Sequence, residues 1–445
     1  MTPSPERLAI DARNFRASRG WRFVRDFVLL LLAAAPLQAV DRHLGVATCA
    51  SSLCHGSARP LSVHSVQQNE YVTWSHFDPH GRAYRLLLEP RSQRMAQRLS
   101  IGPAHEARIC LDCHADNVAP SERGPLFQMS DGIGCESCHG AASRWLASHD
   151  DMPRVAHADN LANGLYPIEE PQARARICVA CHVGDEARFA SHRLMAAGHP
   201  RLSFELDTFT ELWRTSGGRE HFRRDDDYRA RKAVPEASEV WIAGLVQAAD
   251  AQLGMLRSPH FQNTGALPEF AFYNCYSCHR SMRFDYAAGR GLAGSLEPGS
   301  LRLDDSRLVM LSAVFAAVDP RWNEELRSRS AQLHRAAGAS RVDAAKASEE
   351  LADLLARAGA QLAKRPLTRE QKRKALQALI AGARNGDFPD YVAAEQAAMA
   401  AVLLLAETGR DRALQPEIDA LFAALAQDDR YDAARFEALL QRLKE

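Results

Sequence analysis

Four short segments of the 445-residue chain repeat the pattern C-x-x-C-H, in which two cysteines come before a histidine. They are Cys110/Cys113/His114, Cys135/Cys138/His139, Cys178/Cys181/His182 and Cys275/Cys278/His279. The pattern is typical of haem c attachment, in which each cysteine sulfur adds to one vinyl group and the histidine ligates the iron as proximal ligand. The four segments therefore predict four haems, each fixed by two thioether bonds and one bond to iron.

A fifth segment, CASSLCH, has four residues between its cysteines instead of two. Cys49 and Cys54 can both reach the vinyl groups if the loop between them bulges, and His55 keeps its place after the second cysteine. With this segment the sequence predicts five covalently bound haem c groups. The five motifs use all ten cysteines of the chain.

Zinc binding and disulfide pairing are the alternatives for these cysteines. A zinc ribbon also uses C-x-x-C pairs, and an exported protein commonly forms disulfides. Zinc does not require a histidine directly after every pair, and disulfides leave those five histidines without a role. Five such segments together therefore favour haem.

The remaining histidines bear on the second axial ligand of each iron. An electron-transfer haem takes a histidine or methionine there, whereas a catalytic haem leaves the position open. Of the 17 histidines, 12 remain after the proximal ones, and 11 of these precede residue 261. The candidate distal ligands are His64, His80, His149, His192 and His199. This supply favours ligation of most irons by two histidines.

Two pairs of these histidines have helical spacing. His76 and His80 are four residues apart and share a helix face if the proline between them permits a helix. His192 and His199 are seven apart and predict one helix face that stops at Gly198. That helix would supply ligands to two haems.

A family resemblance rests on four segments. They are CASSLCHG at Cys49, W-x-x-x-D-P-H-x-R-A-Y at Trp74, GIGCESCHG at Gly132 and AAGHPRLSFEL at Ala196. Over roughly residues 45–285 the chain resembles the multihaem cytochrome c family that includes the tetrahaem electron acceptor of hydroxylamine oxidoreductase. It is more distantly similar to that oxidoreductase itself.

The resemblance implies haems packed in close stacked and perpendicular pairs, with distal histidines supplied across the chain. It implies His149 as ligand of the first haem, His64 of the third and His80 of the fourth. It leaves His192 and His199 for the second and fifth haems. The fifth motif and the long C-terminal extension depart from the tetrahaem pattern, which places the chain in a pentahaem branch.

The elements that position the motifs are predicted to be mainly α-helical. Residues 40–290 predict a pentahaem cytochrome c domain with short helices, loops and little regular sheet, packed around the haems. Within it, residues 215–238 are polar and charged and predict a surface loop. Arginines that can pair with haem propionates are Arg59, Arg82, Arg85, Arg91, Arg144 and Arg201.

Residues 291–445 lack cysteine and are rich in alanine, leucine and charge, which predicts an all-α helical-hairpin domain. Its helix signals are the 3.6-residue period of Leu351, Leu354, Leu355, Ala358 and Leu362, the capping box of Thr368 and Gln371, and Gly409 as a stop. No chemical motif occurs in this segment, so it is interpreted as a scaffold or docking surface.

Residues 1–39 predict a signal peptide. Six arginines and three acidic residues come before the apolar run Phe27–Ala39, which is shorter than the roughly 20 residues that span a bilayer. A periplasmic location follows, with membrane association if the leader is not cleaved. No later segment is predicted to span a membrane.

Equal numbers of basic and acidic residues, 55 each, give no indication of nucleic acid as a partner. The function predicted is electron transfer through mostly two-histidine haems, with a membrane quinol-oxidising cytochrome or a periplasmic oxidoreductase as redox partner. The alternative is a haem-dependent reductase or oxidase of a small nitrogen or sulfur compound, with one open haem. Against the alternative, no motif ends in lysine. The oligomeric state stays open.

Overall fold

The predicted mainly α fold is confirmed by a computed structural model. It describes residues 40–60, 66–150, 154–215, 220–221, 224–265, 267–279, 291–294, 296 and 300–444. In those ranges the chain forms 20 α-helices and short 3₁₀ turns, and isolated β-bridges pair His43 with Arg123 and Tyr273 with Leu303. The predicted leader and His64 lie outside the described residues.

Residues 42–279 contain the five motifs and are called the motif region. Its α-helices are α1 (Glu70–Phe77), α2 (Ala83–Leu88), α3 (Pro90–Leu99), α4 (Arg108–His114), α5 (Cys135–His139), α6 (Leu146–Asp150), α7 (His157–Ala162), α8 (Pro171–His182), α9 (His192–Ala196), α10 (Leu206–Thr215), α11 (Asp226–Arg231), α12 (Ala237–Met255) and α13 (Pro259–Gln262). All but α12 have 12 residues or fewer. The segment predicted as a surface loop contains α11, which Asp225 caps at its N-terminus.

The second part, residues 306–443, is called the helical extension. Its helices are α14 (Ser306–Val318), α15 (Pro320–Ala339), α16 (Arg341–Leu362), α17 (Arg369–Asn385), α18 (Tyr391–Thr408), α19 (Gln415–Ala423) and α20 (Ala433–Leu440). Consecutive helices α14 to α18 pack against each other as hairpins, apart from α16 and α17. The predicted capping box of Thr368 and Gln371 opens α17, and Gly409 ends α18 with φ of 75°.

One large apolar core fills the helical extension. Its fully buried side chains include Phe315, Phe388 and Phe436, and the predicted leucine stripe of α16 faces into it. The same core contains Trp241 and its neighbours on α12, which lies before residue 290. The division of the chain into domains at residue 290 stays a prediction.

Among the described helices, only α18 has the length and composition of a membrane span. Two thirds of it, 67%, is buried inside the protein. It packs against α17 and α14 as part of the apolar core. We therefore assign it as a core helix.

Candidate functional site

Three of the C-x-x-C-H motifs lie at the end of a helix or form one. They occupy the last turns of α4 and α8 and the whole of α5. Residues three apart in a helix project from the same face, so the two cysteine sulfurs of each motif point the same way. The fifth motif forms a 3₁₀ turn, Cys275–Ser277, that serves the same purpose.

The first motif reaches a similar turn despite its longer spacer. The His55 backbone N–H donates to the Cys49 carbonyl oxygen at 3.1 Å. In the fifth motif the His279 N–H donates to the Cys275 carbonyl oxygen at 2.8 Å. The two extra residues are thus closed into a bulge, and the histidine keeps the same backbone bond to the first cysteine.

Sulfurs of different motifs lie next to each other. Cys49 of the first motif is within hydrogen-bonding distance of Cys135 of the third, and Cys113 of the second is within hydrogen-bonding distance of Cys181 of the fourth. All ten cysteines are free of disulfide bonds. The attachment points are therefore grouped as first with third and second with fourth.

A buried carboxylate holds the first and third motifs together. Glu136 lies between the two cysteines of the third motif and is 4% exposed. Its oxygens accept hydrogen bonds from the backbone N–H groups of Leu44, Gly45 and Ala142 at 2.7–2.8 Å. The segment that leads into the first motif is thereby held against the helix of the third motif.

Four proximal histidines each face one candidate distal histidine. The pairs are His55 with His149, His114 with His199, His182 with His80, and His279 with His192. In that order, the ring centroids are 6.1, 6.5, 6.0 and 6.3 Å apart. A metal about 2.0 Å from each nitrogen, with each centroid about 1.1 Å behind it, separates two opposed imidazoles by about 6.2 Å. The gap in all four pairs fits one iron atom.

His64, which the resemblance implies as partner of the third proximal histidine, lies outside the described residues. His139 itself is poised as a neutral ligand, since desolvation lowers its pKa to about 4. Desolvation, with a smaller contribution from His80, also lowers the pKa of His182 to about 4. An imidazole binds a metal in its neutral form, so both rings are ready to ligate at neutral pH.

Hydrogen bonds from Nδ1 orient four of the facing rings. The Nδ1 atom of His55 bonds to Glu70, and that of His80 bonds to Asp78. The Nδ1 atoms of His114 and His199 bond to the backbone carbonyl oxygens of Ala83 and Pro200. All four distances are 2.8–3.1 Å. Metal-ligating histidines usually donate their other N–H in this way, which fixes the tautomer. In all four rings Nε2 has no hydrogen bond to a described residue, so it is available for a metal.

His149 differs from these four. Its Nδ1 atom is buried and has no hydrogen-bond partner in the described part of the chain. The His149 ring lies opposite the His55 ring, with an angle of 15° between the two ring planes, and packs edge-on against Trp145. A buried nitrogen without a partner is costly, and ligation of an iron through Nδ1 would remove that cost.

Four histidines outside the candidate set use Nε2 within the protein, whereas His43 and His76 bond through Nδ1. His157 bonds to Glu169, His260 to the Glu186 carbonyl and His334 to Asp305, at 2.8–3.1 Å. His221 Nε2 lies 3.4 Å from an Asp78 oxygen. The availability of Nε2 thus separates the facing histidines from these four.

Two helical expectations are wrong. Helix α1 ends at Phe77, and Asp78 is extended with ψ of 124°, because the next residue is proline. His76 and His80 therefore do not share a helix face. Helix α9 ends at Ala196, and Gly198 has φ of 120°, so His199 lies beyond the helix instead of on the face of His192.

Supporting residues were missed in the sequence. Glu70, which orients His55, belongs to no motif, whereas Asp78, which orients His80, is part of the W-x-x-x-D-P-H segment and has the spacing of an Asx turn, although its supporting role was not predicted. Gly132 also supports the site, because a Cβ there would lie 2.7 Å from the His80 carbonyl oxygen. The conformation with φ of 77° at Gly132 lets this loop approach His80 closely.

The predicted propionate partners differ in position. Arg59, Arg82, Arg85, Arg91 and Arg144 are exposed, whereas Arg201 is partly buried beside Glu395 at 3.5 Å. Among described residues, no group of three or more His, Cys, Asp and Glu side chains is arranged to hold a metal ion. Structural zinc takes four protein ligands, whereas haem iron takes two from the protein, as the facing pairs provide.

Comparison with known proteins gives one match. No curated protein and no solved structure matches the chain. Residues 48–140, which contain the first three motifs and His80, match the family model of cytochrome c554 and c-prime. This similarity supports a multihaem c-type cytochrome that carries covalently bound haem c and takes part in electron transfer.

Proposed function

We propose that the chain is a periplasmic c-type cytochrome that carries five haems, each ligated by two histidines, and passes electrons between redox proteins. The observation that carries this proposal is the set of four facing histidine pairs at 6.0–6.5 Å. Two protein ligands fill both axial positions of an iron and leave none for substrate. Such haems exchange electrons without binding a reactant.

The ligand pairs follow from the facing rings. The first haem has His55 and His149, the second His114 and His199, the fourth His182 and His80, and the fifth His279 and His192. The third has His139, with His64 from the family resemblance. This assignment divides His192 and His199 between the fifth and second haems, which the sequence left open.

Contact between attachment points supports two close pairs of haems, the first with the third and the second with the fourth. Sulfurs of the first and third motifs, and of the second and fourth, lie within hydrogen-bonding distance of each other. Haems attached there lie at close range. Cys275 and Cys278 of the fifth motif are exposed, in contrast to the other eight cysteines. The fifth haem is therefore the proposed point of exchange with a partner.

A substitution of one distal histidine tests the ligand set. We expect His80→Ala to convert one haem of five to a high-spin form that binds cyanide, because the ring facing His182 is removed. Absorption and magnetic circular dichroism spectra of the ferric protein measure this change. His76→Ala is the matched control, since this exposed side chain lies in the same segment and bonds to the Val72 carbonyl at 3.1 Å. A His80→Ala protein with every haem still low-spin contradicts the assignment.

Turnover assays separate a carrier from an enzyme. With a reduced dye as donor, we expect no steady-state reduction of nitrite, hydroxylamine or tetrathionate by the intact protein. Rapid reduction and reoxidation of all haems by redox dyes is expected instead. Sustained turnover of any of these compounds would support the reductase or oxidase function.

A further inference from the structure

A cavity of about 120 Å³ that opens to solvent lies between the fifth motif and the helical extension. Cys275 lines it, as does Met195 on the helix that carries His192, and Leu308 of α14 closes the opposite side. A haem attached at Cys275 would reach this space with one edge, because Cys275 borders the cavity, whereas His192 and His279 lie outside its lining.

Arg307 on α14 lines this cavity and lacks a strong partner. It is 5% exposed, and its nearest carboxylate oxygen, on Asp304, is 3.7 Å from Nη1. That distance exceeds a hydrogen bond. None of the five N–H donors of Arg307 has a hydrogen bond to a described residue. A buried guanidinium in this state is destabilising unless an anion accepts from it.

Arg302 shows what a satisfied buried arginine looks like in the same region. It is 6% exposed and bonds to both oxygens of Asp305 at 2.8 and 2.9 Å. The oxygens of Asp304 accept from Gln252 and from the Ser306 backbone N–H, and Arg307 stays 3.7 Å away from them. Arg307 therefore keeps N–H donors that an anion in the cavity could accept from.

A second cation borders the cavity. Arg201 lines it and lies close enough to Arg307 for its positive charge to lower the pKa of Arg307, although desolvation is the larger cause. Arg201 is held 3.5 Å from Glu395 and over the ring of Tyr391. Two guanidinium groups that repel each other at one cavity wall are stabilised by an anionic group between them.

We propose that Arg307, with Arg201 beside it, binds a propionate of the haem attached at Cys275, so that the helical extension completes the pocket of the fifth haem. This inference rests on the proposed five-haem function. It gives the extension a role in the redox centre in addition to that of a scaffold. Removal of a positive charge beside a haem favours the ferric form, so loss of Arg307 lowers that haem's reduction potential.

The test is spectropotentiometry of the holoprotein with Arg307→Gln, Arg307→Lys and Arg321→Gln. At the original midpoint of the fifth haem, we expect Arg307→Gln to raise the ferric-to-ferrous ratio about tenfold, a shift of about 59 mV for one electron. Arg307→Lys keeps the charge and shifts the ratio less. Arg321→Gln is the control, because that side chain is 88% exposed on α15, and it changes no potential.

A four-haem background identifies the affected haem. In a Cys275→Ala/Cys278→Ala protein, Arg307→Gln is expected to leave the remaining potentials unchanged. Unchanged potentials for Arg307→Gln in the five-haem protein overturn the inference, and so does an equal shift in the four-haem background. If Arg307→Gln does not fold, Arg201→Gln at the more accessible side of the cavity replaces it, with a smaller shift in the same direction.

Two further readouts separate the sources of failure. Intact mass of the wild-type holoprotein counts the haems, so a mass with four haems contradicts the proposed function, whereas five haems with unchanged potentials contradict this inference alone. Inorganic phosphate tests for a free-anion site. A phosphate-dependent potential that Arg307→Gln abolishes would overturn the propionate assignment in favour of a soluble anion.

Discussion

The motif region and the helical extension are built on different principles. The extension, together with α12, has one continuous apolar core with fully buried Phe315, Phe388 and Phe436. In the described part of the motif region before α12, the buried apolar residues form only small clusters, of three to five members including Val240 and Ala243 of α12. The facing histidine rings and the cysteines of the first four motifs lie in the same part of the chain. We therefore expect this part to depend on its haems for stability, whereas side chains alone stabilise the extension.

Loss of the haems should therefore affect the two parts unequally. Production of the chain in cells without haem c attachment removes the thioethers and the iron ligation. We expect a protease to digest the motif region while a fragment that contains the extension survives. The reason is that haem binding stabilises only the folded state, and this stabilisation is lost without haem. Limited proteolysis with mass spectrometry measures this. Equal resistance of both parts would contradict the difference between them.

A substitution in the apolar core should destabilise the extension and leave the haems of the motif region in place. Phe315 is fully buried between α14 and the neighbouring helices. We expect Phe315→Ala to reduce the free energy of unfolding of the extension by about 3–5 kcal/mol while the haem count stays at five. Chemical denaturation followed by far-UV circular dichroism measures the stability, and intact mass counts the haems.

Val342→Ala is the control for that substitution, because Val342 is 73% exposed on α16. A change within about 0.5 kcal/mol is expected there. If Phe315→Ala instead releases haem or alters iron ligation, the extension and the haems are more tightly coupled than the separate cores indicate.

The extension should also have a pH dependence of its own. Burial raises the pKa of Asp390, which caps α18, to about 6. A carboxyl group with a raised pKa in the folded state binds its proton more tightly there, so its contribution to stability is lost as pH rises from about 4 to 6. Asp390→Asn removes this loss, and we expect its stability relative to wild type to increase by on the order of 2 kcal/mol over that range.

The contribution of Asp319, which caps α15, to stability should depend on pH with the opposite sign. Its hydrogen bond with Arg321 lowers the pKa of Asp319, so its contribution is present at neutral pH and is lost on acidification. Asp319→Asn is therefore expected to lose stability relative to wild type as pH rises. Unfolding curves of the wild type and both variants between about pH 2 and 7 measure the difference, because the Asp319 effect falls below about pH 4 and the Asp390 effect above it. The same sign for both would contradict it.

The sequence predicted local features of the extension well because they depend on neighbouring residues. The stripe from Leu351 to Leu362, the Thr368 capping box and the Gly409 stop all follow from spacing within one helix. Sequence alone could not place α12 in the same core. Its apolar residues surround the helix, and such a helix gives no directional signal for its partner.

For the candidate site, the motifs were readable but the pairings were not. The cysteines and the histidine of each motif lie within a few residues, whereas His199 and His114 are 85 positions apart and meet only in the folded chain. Helical spacing gave wrong faces for His76 and His192 because Pro79 and Gly198 end the helices early. Long-range contacts of this kind depend on tertiary packing.

Low-temperature electron paramagnetic resonance of the ferric wild-type protein tests the central claim most directly. It detects six-coordinate and open haems in a single sample, calibrated against the haem count from intact mass. We expect low-spin signals that account for all five haems, because each iron has two histidine ligands. A stoichiometric high-spin haem signal would contradict the electron-carrier function and indicate an open catalytic site.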